Sequence, residues 1–152
     1  MSSELRFDVL VLGGGGAALR AALSACEQGA KTAILSKGEA GKSGATYYSV
    51  AEVGAFNVPD GALDPEDSPE EFYRDMEMAA LGTAQLPLCR ILAEQAESAL
   101  QYLEKISGGT VFAKEDGHFK VYQACFSTRP RSHVVENHFK PILRALREEV
   151  AR

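Results

Sequence analysis

The sequence has no cluster of lysine and arginine, no long apolar run near its start and no closely spaced pair of cysteines. Its formal net charge is -5, so it lacks the basic surface with which nucleic-acid-binding proteins neutralise phosphates, and no nucleic-acid partner is expected. The apolar run from Val9 to Leu12 is too short for a membrane span or a signal-peptide core. We therefore expect a cytoplasmic protein without direct membrane insertion.

Cysteine and histidine are both scarce. Cys26, Cys89 and Cys125 are odd in number and far apart, which argues against a disulfide framework or an iron–sulfur or zinc site and predicts buried thiols. His133 and His138 are five residues apart, which does not suit a shared helical face, so no metal site is predicted. Spacing alone assigns no catalytic residue.

The most informative pattern present is an apolar run followed by a glycine turn. The turn fits G-x-G-x-x-G/A when it is read from Gly13: Gly13 permits the tight turn, Gly15 lets the backbone approach phosphates, and Ala18 lets the helix pack closely on the sheet. A register one residue later would place Leu19 at the close-packing position and is rejected. The pattern predicts a strand, a phosphate-binding turn and a helix.

The residues after the turn complete this unit. Small residues on one face of the helix, a glycine stop at Gly29 and the apolar run Ala33 to Leu35 predict a helix followed by a buried parallel strand. The free N–H groups near Gly15 to Ala17, together with the positive end of the helix dipole, form an anion site. A bound dinucleotide is therefore expected, with FAD and NAD both open at this point.

The whole chain has 45% hydrophobic and 24% charged residues, which is typical of a globular protein. Residues 37–67 predict a long loop, either wrapped around a cofactor or a plain surface excursion. A helical insertion is predicted over 69–106, with a helix capped by Ser68 and a second helix that buries a face including Leu88, Ile91 and Leu92. A β-hairpin is predicted over 110–123 and a last helix from Pro141 to Arg152.

These elements predict an α/β, Rossmann-like FAD/NAD(P)-binding fold with added helices and a small β-hairpin. No third parallel strand follows the last helix, so the fold is expected to be incomplete.

Three segments together resemble a known family. The turn Gly13 to Ala18, the pair Ser36-Lys37 and the segment Ser43-Gly44-Ala45-Thr46 resemble the N-terminal part of the FAD-binding domain of succinate dehydrogenase and fumarate reductase flavoproteins. L-aspartate oxidase and the adenylylsulfate reductase flavoprotein subunit belong to the same superfamily. The resemblance implies that residues 1–152 are the N-terminal portion of one FAD-binding domain. Dinucleotide-binding folds usually have an acidic residue after the second strand. This chain has Ser36-Lys37 at that place, and Glu39 could substitute for the acidic residue. Many members of this family have Ser-Lys there, so the resemblance favours FAD.

The resemblance also implies how the flavin is held. Some members carry a histidine covalently attached to flavin in the loop that Lys42 to Thr46 matches, whereas this chain has no histidine between Met1 and Gly117. Non-covalent FAD is therefore expected. The family commonly continues with an A-x-G-G stretch, and this chain has Ser49-Val50-Ala51-Glu52 instead. The predicted cofactor-binding residues are Gly13, Gly14, Gly15, Gly16, Ala17, Ala18, Ser36, Lys37, Ser43, Gly44, Ala45, Thr46 and Ser49.

The family implies hydride transfer between flavin and a small, dicarboxylate-like substrate. Its partners would be that substrate and either a remaining flavoprotein segment or an electron-transfer subunit. A homo-oligomer is left open. The alternatives are a nucleotide-binding module without redox activity of its own and a truncated interaction module. Arg129 and Arg131 either clamp a carboxylate or serve as surface cations and ion-pair partners.

Overall fold

The computed structural model describes residues 4–48 and 54–152. These residues form two compact units, one made of 4–48 with 139–152 and the other of 54–138. Each unit is described by itself.

The first unit is built on the predicted strand, helix and strand. Strand β1 (Val9–Leu12) pairs in parallel with β2 (Thr32–Leu35), and helix α1 (Gly16–Glu27) connects them. The helix buries Leu19, Ala22 and Leu23, and Gly29 adopts the positive φ of +82° expected of a glycine after a helix end. The prediction of this βαβ unit is confirmed.

One face of the β1–β2 sheet is open to solvent. Leu10, Leu12 and Leu35 are 58%, 72% and 62% exposed, because α1 covers only the opposite face of the pleated strands. The prediction of a buried second strand is wrong for this face.

Helix α4 (Lys140–Val150) completes the first unit by packing against α1. It buries Ile142, Leu143, Ala145 and Leu146, which follow the spacing of an amphipathic helix. The predicted last helix is confirmed, with its first residue one position earlier and its end at Val150.

The second unit has a three-stranded antiparallel sheet in the order β3-β7-β6. Its strands are β3 (Gly54–Asn57), β6 (Val121–Tyr122) and β7 (Ser132–Val135), with Gly54 paired to Val135 and Val121 paired to His133. Strand β3 lies within the segment that the sequence predicted as one long loop, 37–67, so that segment is interrupted by a strand.

Two helices follow β3 in sequence. Helix α2 (Pro69–Ala80) begins as predicted, with the Ser68 hydroxyl accepting a hydrogen bond from the Glu71 N–H at 3.3 Å. Helix α3 (Leu86–Ser107) buries Ala93, Ala96, Leu100 and Leu103. The predicted apolar face is wrong in the first half of α3, where Leu88, Ile91 and Leu92 are exposed.

The predicted hairpin is shorter than expected. Strands β4 (Lys114–Glu115) and β5 (His118–Phe119) flank a turn at Asp116 and Gly117, both of which have positive φ as a type I′ turn requires. Residues 121–122, predicted within the hairpin, pair with β7 instead. The prediction of buried cysteines is also wrong: Cys26 and Cys125 are exposed and Cys89 is half-buried.

In the described part of the chain, no helix is long and apolar enough to cross a membrane.

Candidate functional site

The glycine turn of the first unit joins β1 to α1. Gly13 has φ +121°, a conformation that residues with a Cβ rarely adopt. Its N–H donates a hydrogen bond to the carbonyl oxygen of Leu35 at 2.9 Å. The turn therefore starts at the end of both parallel strands, where open α/β sheets bind their ligands.

The start of α1 offers backbone donors without a competing side chain. Gly15 is the N-cap residue and makes no side-chain cap, and the first turn of the helix has no acidic residue. The N–H groups of the first helical turn, which includes Gly16, Ala17 and Ala18, have no carbonyl acceptor within the helix. This end of α1 therefore suits an anion.

The loop after β2 lies directly opposite Gly15. A Cβ built on Gly15 would stand 3.3 Å from the Ser43 carbonyl oxygen, and one built on Gly44 would stand 3.5 Å from the Gly15 Cα. Close to them, the Thr46 hydroxyl would lie 3.1 Å from a Cβ on Gly16. Gly15 and Ser43–Gly44 are therefore in close backbone contact, and we call this contact, together with the N-terminus of α1 beside it, the glycine slot.

The structure thus brings two predicted segments together, Gly13 to Ala18 and Ser43 to Thr46, although some 25 residues of helix and strand separate them in sequence. Both sides of the contact are backbone. Side chains on Gly15 or Gly44 would force the two segments apart, and Gly44 also has φ +82°. The free N–H groups at the start of α1, beside glycine backbone that no side chain covers, fit the diphosphate of a dinucleotide.

The end of β2 carries the predicted pair Ser36-Lys37. The Ser36 hydroxyl accepts a hydrogen bond from the Gly38 N–H at 3.4 Å and packs against Gly14, whereas Lys37 is exposed. Glu39, the possible acidic substitute, is already paired: its carboxylate oxygens lie 2.9 Å from Lys42 Nζ and 2.8 Å from Arg147 Nη1. The hydrogen bond from Lys42 is the main reason that the pKa of Glu39 is lowered.

Two further predicted cofactor-binding residues are Ala45 and Ser49. Ala45 is exposed in the loop beside the slot. Ser49 and the stretch Ser49-Val50-Ala51-Glu52 lie outside the described residues.

Sequence reasoning missed the contribution of α4 to this region. Leu143 packs 3.5 Å from a Cβ built on Gly16, and the Arg147 stem lies 3.3 Å from one built on Gly41. The i, i+4 spacing of Leu143 and Arg147 on an amphipathic helix placed them on one face. No sequence signal connects that face with the glycine turn more than a hundred residues earlier.

The second unit contains a buried ionic cluster. Arg131, 1% exposed, donates from Nε and Nη2 to Asp67 at 3.0 and 2.7 Å, and from Nη1 to Asp75 at 2.5 Å. Asp75 also accepts hydrogen bonds from the Thr128 N–H and hydroxyl at 2.9 and 3.0 Å. Because the protein itself supplies partners for these buried charges, we interpret this cluster as structural.

Two neighbouring basic side chains also contact acidic residues. Arg129 contacts Asp64 at 2.6 Å and Glu66 at 3.3 Å. The fully buried His133 has Nδ1 3.1 Å from the Arg131 carbonyl oxygen and Nε2 3.0 Å from Asp60 Oδ2. Burial opposes ionisation of Asp60, but the hydrogen bond with His133 leaves the pKa of this carboxyl below its usual value. These contacts favour the interpretation of Arg129 and Arg131 as ion-pair partners.

Within residues 4–48 and 54–152, no group of three or more His, Cys, Asp or Glu side chains is placed to hold a metal ion.

Comparison with known proteins gives a family and several relatives. The family described as "FAD binding domain" matches residues 8–150. A fumarate reductase (CoM/CoB) subunit of Methanothermobacter marburgensis is 40% identical over 118 residues, which cover 76% of this chain and 20% of that protein. The chain therefore spans a fifth of the length of this curated relative.

Solved structures agree with this result. Mycobacterium smegmatis Sdh1 in complex with UQ1 is 27% identical with a TM-score of 0.81, covering 94% of this chain and 23% of that chain. The open conformation of a flavocytochrome c3 fumarate reductase is 25% identical with a TM-score of 0.76, covering 93% of this chain and 24% of that chain. In both, the present chain matches about a quarter of the larger protein.

Proposed function

Because the chain belongs to the FAD binding domain family, of the kind found in fumarate reductase and succinate dehydrogenase flavoproteins, we propose that it holds FAD non-covalently in the glycine slot and serves a hydride-transferring oxidoreductase. The observation that carries the proposal is the slot itself. An uncapped helix N-terminus lies beside a close backbone contact where Gly15 and Gly44 keep side chains out.

The proposal assigns a part of FAD to each predicted segment. The diphosphate is held by the N–H groups at the start of α1, beside the contact of Gly15 with Ser43–Gly44. Ser36 and Lys37 stand at the end of β2, where dinucleotide-binding folds hold the ribose of the adenosine half. Thr46, beside Gly16, then faces the flavin half. Bound FAD supplies the hydride chemistry, while the residues of this chain bind and orient it.

The non-covalent attachment follows from the loop residues. The three histidines of the chain are His118, His133 and His138, all in the second unit, and the loop beside the slot has none. Acid precipitation of the purified protein should therefore release all of the yellow flavin into the supernatant. Flavin that stays with the precipitate would contradict this part of the proposal.

The slot can be tested by adding one carbon atom. Gly15 has φ -85°, so alanine fits the backbone there, but its Cβ would lie 3.3 Å from the Ser43 carbonyl oxygen. We expect Gly15→Ala to weaken FAD binding by at least about tenfold, equivalent to roughly 1.4 kcal/mol. Isothermal titration of the flavin-free protein with FAD measures this change.

The matched control is Gly38→Ala. Gly38 belongs to the same loop, has no positive φ, and a Cβ there would meet nothing within 4 Å. FAD affinity should be unchanged in this variant. Equal affinity of Gly15→Ala and the unaltered protein would overturn the placement of the diphosphate.

The substrate side of the proposal rests on the relatives. One relative is named as part of a fumarate reductase, and one solved structure is a fumarate reductase, so we propose a small dicarboxylate-like substrate. Chemically reduced FAD on the protein, supplemented with the expected remaining flavoprotein segment, should be reoxidised by fumarate under anaerobic conditions. If reoxidation has the same rate as that of free reduced FAD, the fumarate-type activity is refuted.

An interaction role is the second candidate, and the open face of the β1–β2 sheet favours it. Leu10, Leu12 and Leu35 expose large apolar surface there, as surfaces that receive a partner commonly do. We propose that a further flavoprotein segment or an electron-transfer subunit covers this face. Purification without flavin and only in complex with another chain would favour the interaction role alone.

A further inference from the structure

Helix α4 contacts both segments that form the glycine slot, next to the slot itself. Leu143 is almost fully buried and packs against the position of Gly16 at the start of α1, while its carbonyl oxygen lies 3.6 Å from a Cβ built on Gly41. One turn later, the stem of Arg147 lies 3.3 and 3.5 Å from the same built Cβ. One face of one helix therefore touches α1 and the loop that lies opposite it.

Gly41 links that loop directly to the glycine turn. Its N–H donates a hydrogen bond of 2.7 Å to the Gly14 carbonyl oxygen, and its φ of +80° is a conformation that glycine adopts freely. Gly41 is itself buried. Displacement of Gly41 would therefore move Ser43 and Gly44, which follow within three residues and form one side of the slot.

A charged contact ties α4 to the same stretch. Arg147 Nη1 donates to Glu39 Oε1 at 2.8 Å, and Lys42 Nζ lies 2.9 Å from Glu39 Oε2. One carboxylate thus holds a cation from α4 and a cation from the loop. Two-point contact, with the stem on Gly41 and the guanidinium on Glu39, restrains the loop more than either contact would alone.

We propose that Arg147 is a positioning residue for FAD: without contacting the cofactor, it holds residues 39–44 against the glycine turn so that the slot exists before FAD enters. This inference rests on the proposed placement of FAD and adds a residue that the glycine motif does not contain. A loop fixed in the competent position binds its ligand more tightly, because less of the binding free energy is spent on ordering it.

The size of the effect follows from the exposure of the ion pair. The side chains of Arg147 and Glu39 are 40% and 57% exposed, and pairs of this kind contribute modestly to stability. When the pair is lost, FAD binding must supply the free energy that the pair contributed to ordering the loop. The affinity for FAD then falls by roughly two- to fivefold. The melting temperature should hardly change.

Arg147→Met removes the charge and keeps an apolar stem over Gly41. In the flavin-free protein, we expect faster hydrogen–deuterium exchange of the backbone amides of residues 39–44, and in titration a roughly two- to fivefold weaker FAD affinity. The absorption spectrum of the bound flavin should stay unchanged at saturation, because Arg147 does not touch it. Arg147→Lys retains a cation and should recover most of the affinity.

Arg144→Met is the matched control, since Arg144 is exposed on the same helix and should affect neither measurement. Unchanged exchange in Arg147→Met, or faster exchange with unchanged FAD affinity, overturns the inference, as does a failure of Arg147→Lys to recover affinity. If the unaltered protein binds no FAD, the proposed function fails instead. The exchange comparison on the free protein then decides by itself whether Arg147 fixes the loop.

Discussion

The ionic cluster around Arg131 gives a sharp prediction about stability. Arg131→Met keeps a side chain of similar length but removes every hydrogen bond to Asp67 and Asp75. The two carboxylates are 1% and 5% exposed, so solvent cannot replace the lost guanidinium. The variant therefore contains two buried carboxylates without a counter-charge.

The magnitude follows from this burial. Removal of one partner from a buried ion pair costs about 3–5 kcal/mol, mostly because the remaining charge is left desolvated. For a protein of this length, each 1 kcal/mol lowers the melting temperature by roughly 2–4 °C. We therefore expect Arg131→Met to lower the melting temperature by about 6–20 °C, if the protein still folds.

Urea denaturation followed by circular dichroism measures the free energy of unfolding. The matched control is Arg129→Met, two residues earlier, whose ion pairs are partly exposed and should therefore contribute much less to stability than the buried pairs of Arg131. A triple variant that combines Arg131→Met with Asp67→Asn and Asp75→Asn should recover much of the loss, because no buried charge remains. Equal destabilisation by Arg129→Met and Arg131→Met, or a triple variant no more stable than Arg131→Met, would refute the reasoning.

Two further predictions concern the second unit. Gly54→Ala should destabilise the protein by roughly 1–3 kcal/mol in urea denaturation, because a Cβ there would stand 2.9 Å from the His138 Cα; stability equal to that of the unaltered protein would show that this contact is not restrictive. The free energy of unfolding should also fall as the pH drops below about 4. Burial opposes the charge of Asp60 and Asp75, yet their hydrogen bonds keep both folded-state pKa values below those of the unfolded chain. The two carboxylates therefore contribute fully to the free energy of unfolding above the unfolded pKa. This contribution is lost as the pH falls through the folded pKa. A free energy of unfolding that stays constant down to about pH 3 would contradict this.

The parts of the fold that the sequence predicted are those with local causes. The glycine turn, the helix after it and the stop at Gly29 lie within about one βαβ unit, so each signal constrains its neighbours. The start of α2 is similar, because Ser68 caps an N–H only three residues away. Such signals do not depend on where the rest of the chain lies.

The parts that were missed depend on distant partners. Strand β3 is four residues long and is recognisable as a strand only through β7, where Gly54 pairs with Val135. The exposed first half of α3 has the same origin: its apolar spacing is real, but no described residue covers Leu88, Ile91 or Leu92. Periodicity predicts which residues share a helix face, whereas burial requires something to pack on that face.

The phosphate-binding motif explains only two of the four consecutive glycines, Gly13 to Gly16. The phosphate-binding pattern needs glycine at Gly13 and Gly15, and leaves Gly14 and Gly16 free. In the structure, a Cβ on Gly14 would stand 2.5 Å from the Ser36 hydroxyl oxygen and 3.2 Å from the Ala40 Cα, and one on Gly16 would lie 3.1 Å from the Thr46 hydroxyl.

The two additional glycines are therefore explained by contacts within the protein. Gly14 admits the end of β2 and the loop after it, and Gly16 admits both Thr46 and Leu143 of α4. A larger residue at either position would push the loop away from the turn and alter the slot before any ligand arrived. The four glycines therefore serve two separate purposes. Gly15 lets phosphate approach the backbone, whereas Gly14 and Gly16 let the loop and α4 pack closely on the turn. The phosphate-binding motif describes only the first purpose and does not predict the second.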